Sequence, residues 1–448
     1  MTSYAVCADV GSTWTKVAVV DLADGALVAT AAHASTVATD VLHGLDAAVA
    51  RATTGLPADP PPAWYVCSSA GGGLRLAVLG YERLITARAG HQVGLSAGAR
   101  VVYVGAGRLD GAGLTALRAA RPDVVLLVGG TDGGDAEVLT HNATRLARAR
   151  WRVPVVVAGN VLARPEARDV LADRGVPLTV TENVLPRIGV LAPGPARSAI
   201  REVFLRHVIG GKRLSRGTRF AGLVRAATPD AVLTGVELLA DLRSGDLAVV
   251  DVGGATTDVY SVLTPGERAG GPGRPAAGTL WRARTVEGDL GMRWSAPGVV
   301  RAAAAERMLA PGEDGPLSAA AALRAADPGY LAADPADRAV DRRIAALAAT
   351  VAFRRHARGG DAVGGWGSRD LRDVRLLIGS GGVLRHAGPA EAVGVLDAVL
   401  ADHAGGWSLP RAARPVIDAD YVLAAAGLLA GAHPGAAAAL LCRHLADG

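Results

Sequence analysis

Residues 9–16 read Asp-Val-Gly-Ser-Thr-Trp-Thr-Lys, and residues 251–258 read Asp-Val-Gly-Gly-Ala-Thr-Thr-Asp. In each stretch an aspartate closes an apolar run, YAVCADV (4–10) or DLAVVDV (246–252). Small residues then form a turn, and a second apolar run leaves it, KVAVVDL (16–22) or TDVYSVL (257–263). This is the pattern of a strand–loop–strand hairpin that turns around something held by the loop. Glycine lets the backbone approach a polyanion, turn N–H groups and Ser/Thr hydroxyls donate to phosphate oxygens, and aspartate holds a metal-bound water. Facing each other across a cleft, two such hairpins would clamp a phosphate chain from two lobes. Two carboxylates and a triphosphate repel one another, so the clamp calls for Mg²⁺ held by Asp9 and Asp251 through water. Lys16 adds a positive charge. A third glycine-rich element, Ile378-Gly379-Ser380-Gly381-Gly382-Val383, ends the strand-like run VRLLIGS (374–380).

The 448 residues are too many for one core and imply two or three lobes. Half of the chain is hydrophobic and 20% is charged, which excludes a disordered polymer. Of 47 basic residues only Lys16 and Lys212 are lysine, leaving 45 arginines. With abundant Ala and Gly, that bias reflects GC-rich coding, so the pI of about 9.4 is background before it is nucleic-acid affinity. Aromatic residues make up 4%, too few for a base-stacking platform. The basic stretch Arg201–Arg225 reads equally as a solvated helix face, a protein-docking surface or a phosphate-tracking patch. Cys7, Cys67 and Cys442 are scattered, which speaks against a disulfide framework or zinc ribbon. The opening MTSYAVCADVGS lacks a basic leader region, and the uncharged run Tyr421–Cys442 is broken by Gly431 and Pro434. The expectation is a soluble, cytoplasmic protein without a membrane or nucleic-acid partner.

Between residues 99 and 180 the runs VVYVGA (101–106), VVLLVGG (124–130) and VPVVVAGN (153–160) each end in or near glycine and precede a helical stretch. That is the period of a doubly wound parallel sheet. None continues as GxGxxG or GxxxxGKS. The expected organisation is a first lobe over 1–98, an additional α/β unit over 99–192, and a second lobe over 193–448. The Gly-, Pro- and Arg-rich stretch 265–278 reads as an exposed loop.

Three glycine-rich elements in this order resemble the actin–Hsp70–sugar-kinase superfamily of ATPases. The resemblance implies an α/β fold with two ribonuclease-H-like lobes and ATP with Mg²⁺ between them. Position by position, it puts Asp9, Gly11, Ser12, Thr13 and Lys16 on a first phosphate loop. It puts Asp251, Gly253, Gly254, Thr256 and Thr257 on a second, and Gly379, Ser380, Gly381 and Gly382 on the adenosine loop. The Hsp70-like branch carries an acid before the helix that precedes the second phosphate loop, where it positions the attacking water. Here that segment is Ala227-Thr228-Pro229-Asp230-Ala231, with Thr228 nearest the acidic position. Asp230 is the candidate substitute, and equally a first-turn acid favoured by the helix dipole.

Longer phrases narrow the resemblance. DVGSTWTK (9–16), CSSAGGGLR (67–75), LLVGGTDGG (126–134), TENVLPRIG (181–189), GDLGMRWSAPG (288–298) and GSGGVLR (379–385) are similar to the accessory L-protein family of adenosylcobalamin-dependent glutamate mutase. This is the MutL family, unrelated to the mismatch-repair protein of that name. The resemblance implies a reactivating factor, a weak ATPase that partners the large and small mutase subunits and promotes exchange of damaged cobalamin. A homo-oligomer is compatible with it. Asp132, Asp135, Glu287 and Asp289 are further polar candidates, as interlobe contacts or as turn residues. The competing readings are an activator of a different radical enzyme, a small-molecule kinase of the same superfamily, and a cytoskeletal polymer.

Overall fold

The computed structural model of the chain describes residues 3–57, 59–70, 74–82, 86–87, 89–90, 93–94, 97, 99–209, 214–243, 245–264, 282–358 and 369–446. Residues 71–73, Lys212 and the 265–278 loop lie outside them.

The first hairpin is β1 (Tyr4–Val10) and β2 (Trp14–Asp21), antiparallel, with Asp9 opposite Lys16 and Val10 opposite Thr15. Small and β-branched residues let β1 be covered on both faces, so it takes the centre of its sheet. β3 (Leu27–Ala34) extends the hairpin. Helix α1 (Val41–Ala52) starts where the Asp40 carboxylate accepts the Leu42 N–H at 2.9 Å, and β4 (Ala63–Ser68) returns parallel to β1.

The chain then builds a second body. It runs through β5 (Arg75–Gly80), β6 (Arg100–Ala106), α2 (Gly111–Ala119), β7 (Val124–Leu127), α3 (Glu137–Arg148), β8 (Val155–Val157), α4 (Arg164–Ala172) and β9 (Leu178–Val180). All its pairings are parallel, in the order β6-β5-β7-β8-β9, a doubly wound arrangement. Helices α5 (Pro193–Val203) and α6 (Arg219–Leu223) lead back to β10 (Val224–Ala227), which joins β4. Sheet membership and sequence segments therefore do not coincide. β5, inside 1–98, belongs to the additional sheet, and β10, inside 193–448, belongs to the first lobe.

Helix α7 (Thr228–Arg243) crosses to the second lobe. There β11 (Leu247–Val252) and β12 (Thr257–Val262) form the second hairpin, and β13 (Arg282–Glu287) extends it. Helices α8 (Ala296–Ala305), α9 (Asp314–Ala326) and α10 (Pro335–Arg358) follow. The lobe is completed by β14 (Leu376–Ser380), α11 (Gly382–Arg385), α12 (Pro389–Leu400) and β15 (Arg414–Ile417), before α13 (Val422–Leu429) and α14 (Pro434–Leu441). The first sheet is ordered β10-β4-β1-β2-β3 and the second β13-β12-β11-β14-β15. Each has an antiparallel three-strand meander followed by two parallel strands, the same ribonuclease-H-like topology twice, as the superfamily resemblance implies.

The lobes share a core. Cys7, Ala18 and Val20 of the first hairpin pack in one apolar cluster with Leu233 and Val236 of α7 and Leu423 and Ala426 of α13. The two helices touch backbone to backbone: a Cβ on Gly427 would lie 1.8 Å from the Ala231 carbonyl oxygen, and one on Gly235 2.1 Å from that of Leu423. Only glycine permits this crossing at both positions. The first and additional sheets share a separate core around α1 and α5. Among the described residues, no helix is long and apolar enough to cross a membrane.

Candidate functional site: two facing hairpins

The hairpin loops close in the same way. The Gly11 N–H donates to the Trp14 carbonyl at 3.1 Å, and the Gly253 N–H to the Thr256 carbonyl at 2.9 Å. They also meet, since a Cβ on Gly254 would lie 3.7 Å from Thr13 Oγ1. Sequence positions more than 200 residues apart thus line one cleft.

The matching register gives the hairpins opposite electrostatics. In the first, Lys16 sits across from Asp9, its Nζ 3.5 Å from Asp9 Oδ2. In the second, the same position across from Asp251 is Asp258. Asp258 is neutralised by Arg284 on β13 at 2.6 Å, with the guanidinium 5.6 Å from the Tyr260 ring. Asp251 therefore faces a carboxylate, where Asp9 faces an ammonium. The Asp251 carboxyl is raised to about 6: burial lifts it most, Lys16 from the other lobe lowers it, and Asp258 and Asp9 add to the rise. Burial also works against the charge on Lys16, but Tyr421, Asp9 and Asp251 more than offset it and raise its pKa. Asp9, Lys16 and Asp251 therefore form one electrostatic unit spanning both lobes.

Helix α7 enters this unit at its N-terminus, where the Thr228 hydroxyl donates to Asp9 Oδ1 at 2.5 Å. Asp230 does not join the group. Its side chain is buried and paired with Arg201 of α5. Of the basic stretch, Arg201, Arg206 and Arg219 all stand in ion pairs, with Asp230, Glu202 and Asp46.

The segment after β13 backs the second loop. The Met292 and Arg293 N–H groups donate to the Gly253 and Gly254 carbonyls at 2.9 and 2.8 Å, and Ser295 Oγ donates to the Ala255 carbonyl at 2.9 Å. With those carbonyls tied behind it, the loop is held against the second lobe. Glu287 and Asp289 serve this region, both paired with Arg355 at 2.9 and 2.7 Å. The third element arrives from the side: Gly381 has φ +112°, and a Cβ there would lie 2.3 Å from the Val252 oxygen. The adenosine-loop candidate is thus in van der Waals contact with the end of β11. Asp132 and Asp135 lie elsewhere, at the carboxyl ends of the additional sheet. Asp132 Oδ1 accepts from the Val161 N–H and from Asn183 Nδ2, both at 2.9 Å, and Asp135 Oδ1 accepts from the Val138 N–H at 3.3 Å.

Several site neighbours are given no role by the sequence motifs, although Asp258 and Arg385 close two of the quoted phrases: Asp418, Tyr421, Arg385, Asp258 and Arg284. Asp418 is buried beside the adenosine-loop candidate. Its carboxyl is raised to about 6 by burial even though the Val422 and Leu423 N–H groups donate to it at 2.8 and 3.3 Å.

The chain matches the family model described as MutL protein over residues 5–445. It is 34% identical to Protein MutL of Clostridium tetanomorphum, an alignment covering 98% of each chain. The chain belongs to the MutL family. Solved structures similar to it include nucleotide-free acetone carboxylase (14% identity, 96% of this chain and 70% of that one, TM-score 0.40). Another is component A of (R)-2-hydroxyglutaryl-CoA dehydratase from Acidaminococcus fermentans (10% identity, 97% and 99% covered, TM-score 0.31).

The residues of this MutL-family cleft suit a nucleotide with its metal. The Thr257 hydroxyl is buried without a hydrogen-bond partner, and the lysine paired with Asp9 of one lobe also lowers the Asp251 carboxyl of the other. Among the described residues, no group of three or more His, Cys, Asp or Glu is placed to enclose a metal. The donor set fits a hard cation bound through one or two carboxylates, with water and phosphate oxygens completing its shell.

Proposed function

We propose that this MutL-family chain is an ATP-binding, slowly ATP-hydrolysing accessory protein that reactivates adenosylcobalamin-dependent glutamate mutase (methylaspartate mutase) in the cytoplasm. Its partners are the large and small mutase subunits, and its task is to promote exchange of damaged cobalamin. The observation that carries the nucleotide reading is the meeting of the two hairpin loops, with Lys16 of the first paired to Asp9 and acting electrostatically on Asp251 of the second. The family membership carries the choice of partner.

In this reading the N–H groups and hydroxyls of 11–13 and 253–257 hold the phosphates, and residues 379–382 pack against adenosine and ribose. Asp9 and Asp251 would hold Mg²⁺ through water, and the ion would offset the charge of carboxylates and phosphates together. Lys16 supplies the remaining positive charge. Thr228 orients Asp9 by donating to one of its oxygens, which leaves the other to face Lys16. A change in the second loop has a contiguous structure to act on. The 288–295 segment is hydrogen-bonded to that loop, and Gly288 rests against the guanidinium of Arg100, the first residue of β6 in the additional sheet. A Cβ on Gly288 would be 3.0 Å from Arg100 Cζ. Arg355 and Arg100 both help hold the Asp289 carboxyl below its ordinary value, although burial opposes them. We read this contact as the route by which nucleotide state reaches the additional α/β unit, with a coupling of order 1–3 kcal/mol.

Calorimetry tests the clamp. Mg²⁺-ATP is expected to bind in the micromolar range, and Asp9→Ala or Asp251→Ala to weaken it at least tenfold, about 1.4 kcal/mol. Unchanged affinity in both variants would refute the clamp. Hydrolysis is expected to be slow, well below roughly 10 s⁻¹, because Thr228 stands where the Hsp70-like branch has its acid. If Asp230 is the base, Asp230→Asn lowers single-turnover hydrolysis while Thr228→Val changes it less. If Thr228 acts through Asp9, the order reverses.

A further inference from the structure

We propose that Tyr421 is a positioning residue that reaches from the second lobe and holds the Lys16 ammonium in place for the phosphates through a cation–π contact. The inference rests on the nucleotide reading above and extends it to a residue outside all three glycine-rich loops. Lys16 Nζ lies 4.0 Å from the centroid of the Tyr421 ring. Its contact with Asp9 Oδ2, at 3.5 Å, is longer than the roughly 2.7–3.2 Å of a well-formed N–H···O bond. Asp9 alone therefore does not fix an ammonium on a flexible four-carbon stem, and the ring supplies the second restraint. Apolar walls from Cys7, Ala18 and Leu428 line the same small cavity. A cation–π contact half-buried in this way is worth more than one on an open surface.

The backbone is built to present this ring. Tyr421 adopts φ 57°, ψ 37°, the left-handed region in which a bulky non-glycine residue is an outlier held by its surroundings. The surroundings are explicit. Asp418 caps the Val422 and Leu423 N–H groups with its carboxylate, and its own N–H donates to the Gly379 carbonyl at 2.9 Å. The turn is thus pinned to the strand β14 of the second lobe, while the lysine it touches belongs to β2 of the first. Lobe closure and lysine placement become one event. Arg385, at the end of α11, also approaches the ring, at 5.0 Å.

The test keeps the shape of the side chain and changes only its quadrupole. Tyr421→Phe serves as the reference, and mono-, di- and trifluorophenylalanine at 421 follow in the full chain, with Mg²⁺-ATP affinity read by calorimetry. Affinity is expected to fall stepwise with each fluorine, by roughly fivefold over the series. The slope should persist in an Arg385→Met background, which assigns it to Lys16. A flat series in a protein that binds Mg²⁺-ATP, or a slope that vanishes with Arg385→Met, overturns this inference and leaves the nucleotide reading standing. Absence of Mg²⁺-ATP binding in the unsubstituted chain overturns both. A purely structural ring would tolerate the near-isosteric fluorines without any trend.

Discussion

Gly381→Ala is expected to lower the unfolding free energy by more than about 3 kcal/mol and to abolish measurable Mg²⁺-ATP binding. Two costs add. At φ +112° an L-residue is strained whatever the space around it, and the new Cβ would stand 2.3 Å from the Val252 oxygen and 2.9 Å from its carbonyl carbon. Those atoms are backbone at the end of β11, one residue before the second glycine-rich loop, so relief requires moving the loop itself. The neighbouring Gly382 is the control. It begins α11, and a Cβ there would meet nothing within 4 Å, so Gly382→Ala should change stability by less than about 1 kcal/mol. Urea denaturation checks both. A Gly381→Ala midpoint indistinguishable from that of Gly382→Ala would mean that the third glycine-rich loop does not rest on β11.

The second large effect is a conflict between function and stability at Asp251. Its carboxyl is raised from 3.8 to about 6 in the folded, ligand-free chain. Between those values the folded state holds a proton that the unfolded state has lost, so stability falls as pH rises through that window, and above about 6 the full cost is present. Asp418, raised to about 6 as well, adds to the same trend. Asp251→Asn removes the first contribution. The ligand-free variant should therefore be more stable than the parent at pH 7.5, by up to about 3 kcal/mol, and should match it near pH 4. Mg²⁺-ATP should stabilise the parent at pH 7.5 but not the variant. Denaturation curves at the two pH values, with and without nucleotide, decide it. An Asp251→Asn variant less stable than the parent at pH 7.5 would show that the carboxylate is not a stored cost.

The two hairpins are legible in sequence because everything that makes them is local. An apolar run, a terminal aspartate, a glycine turn and a second run fall within 19 residues at 4–22 and 18 at 246–263, and each constrains the next. The parallel unit is legible for the same reason, except for its first strand and for β9, whose three residues form no run of their own. RLAVLG (75–80) is a short apolar run with no marker of which sheet it enters, and only the parallel pairing of β5 with β6 and β7 places it. The ring on Lys16 is illegible, since Tyr421 lies some 400 residues away and its role depends on a left-handed turn built by Asp418. In sequence, Asp258 is simply the second residue of the run that leaves the glycine turn. Its place opposite Asp251, and its neutralisation by Arg284 from the next strand, emerge only from register. Thr228 is visible as a departure from an acidic position, but its hydroxyl donating to Asp9, two strands away in the same sheet, is a tertiary fact.

Reactivation of the cognate mutase is the deciding measurement for the proposed role. A factor that releases damaged cofactor must bind the mutase more tightly in one nucleotide state than in the other, because equal affinity shifts no equilibrium. Glutamate mutase inactivated during turnover is expected to recover activity when this protein, ATP, Mg²⁺ and fresh adenosylcobalamin are supplied together. It should not recover when any one is omitted, nor when Asp9→Ala replaces the parent chain. Equal recovery with free adenosylcobalamin alone, or no association with the mutase in any nucleotide state, would contradict the account.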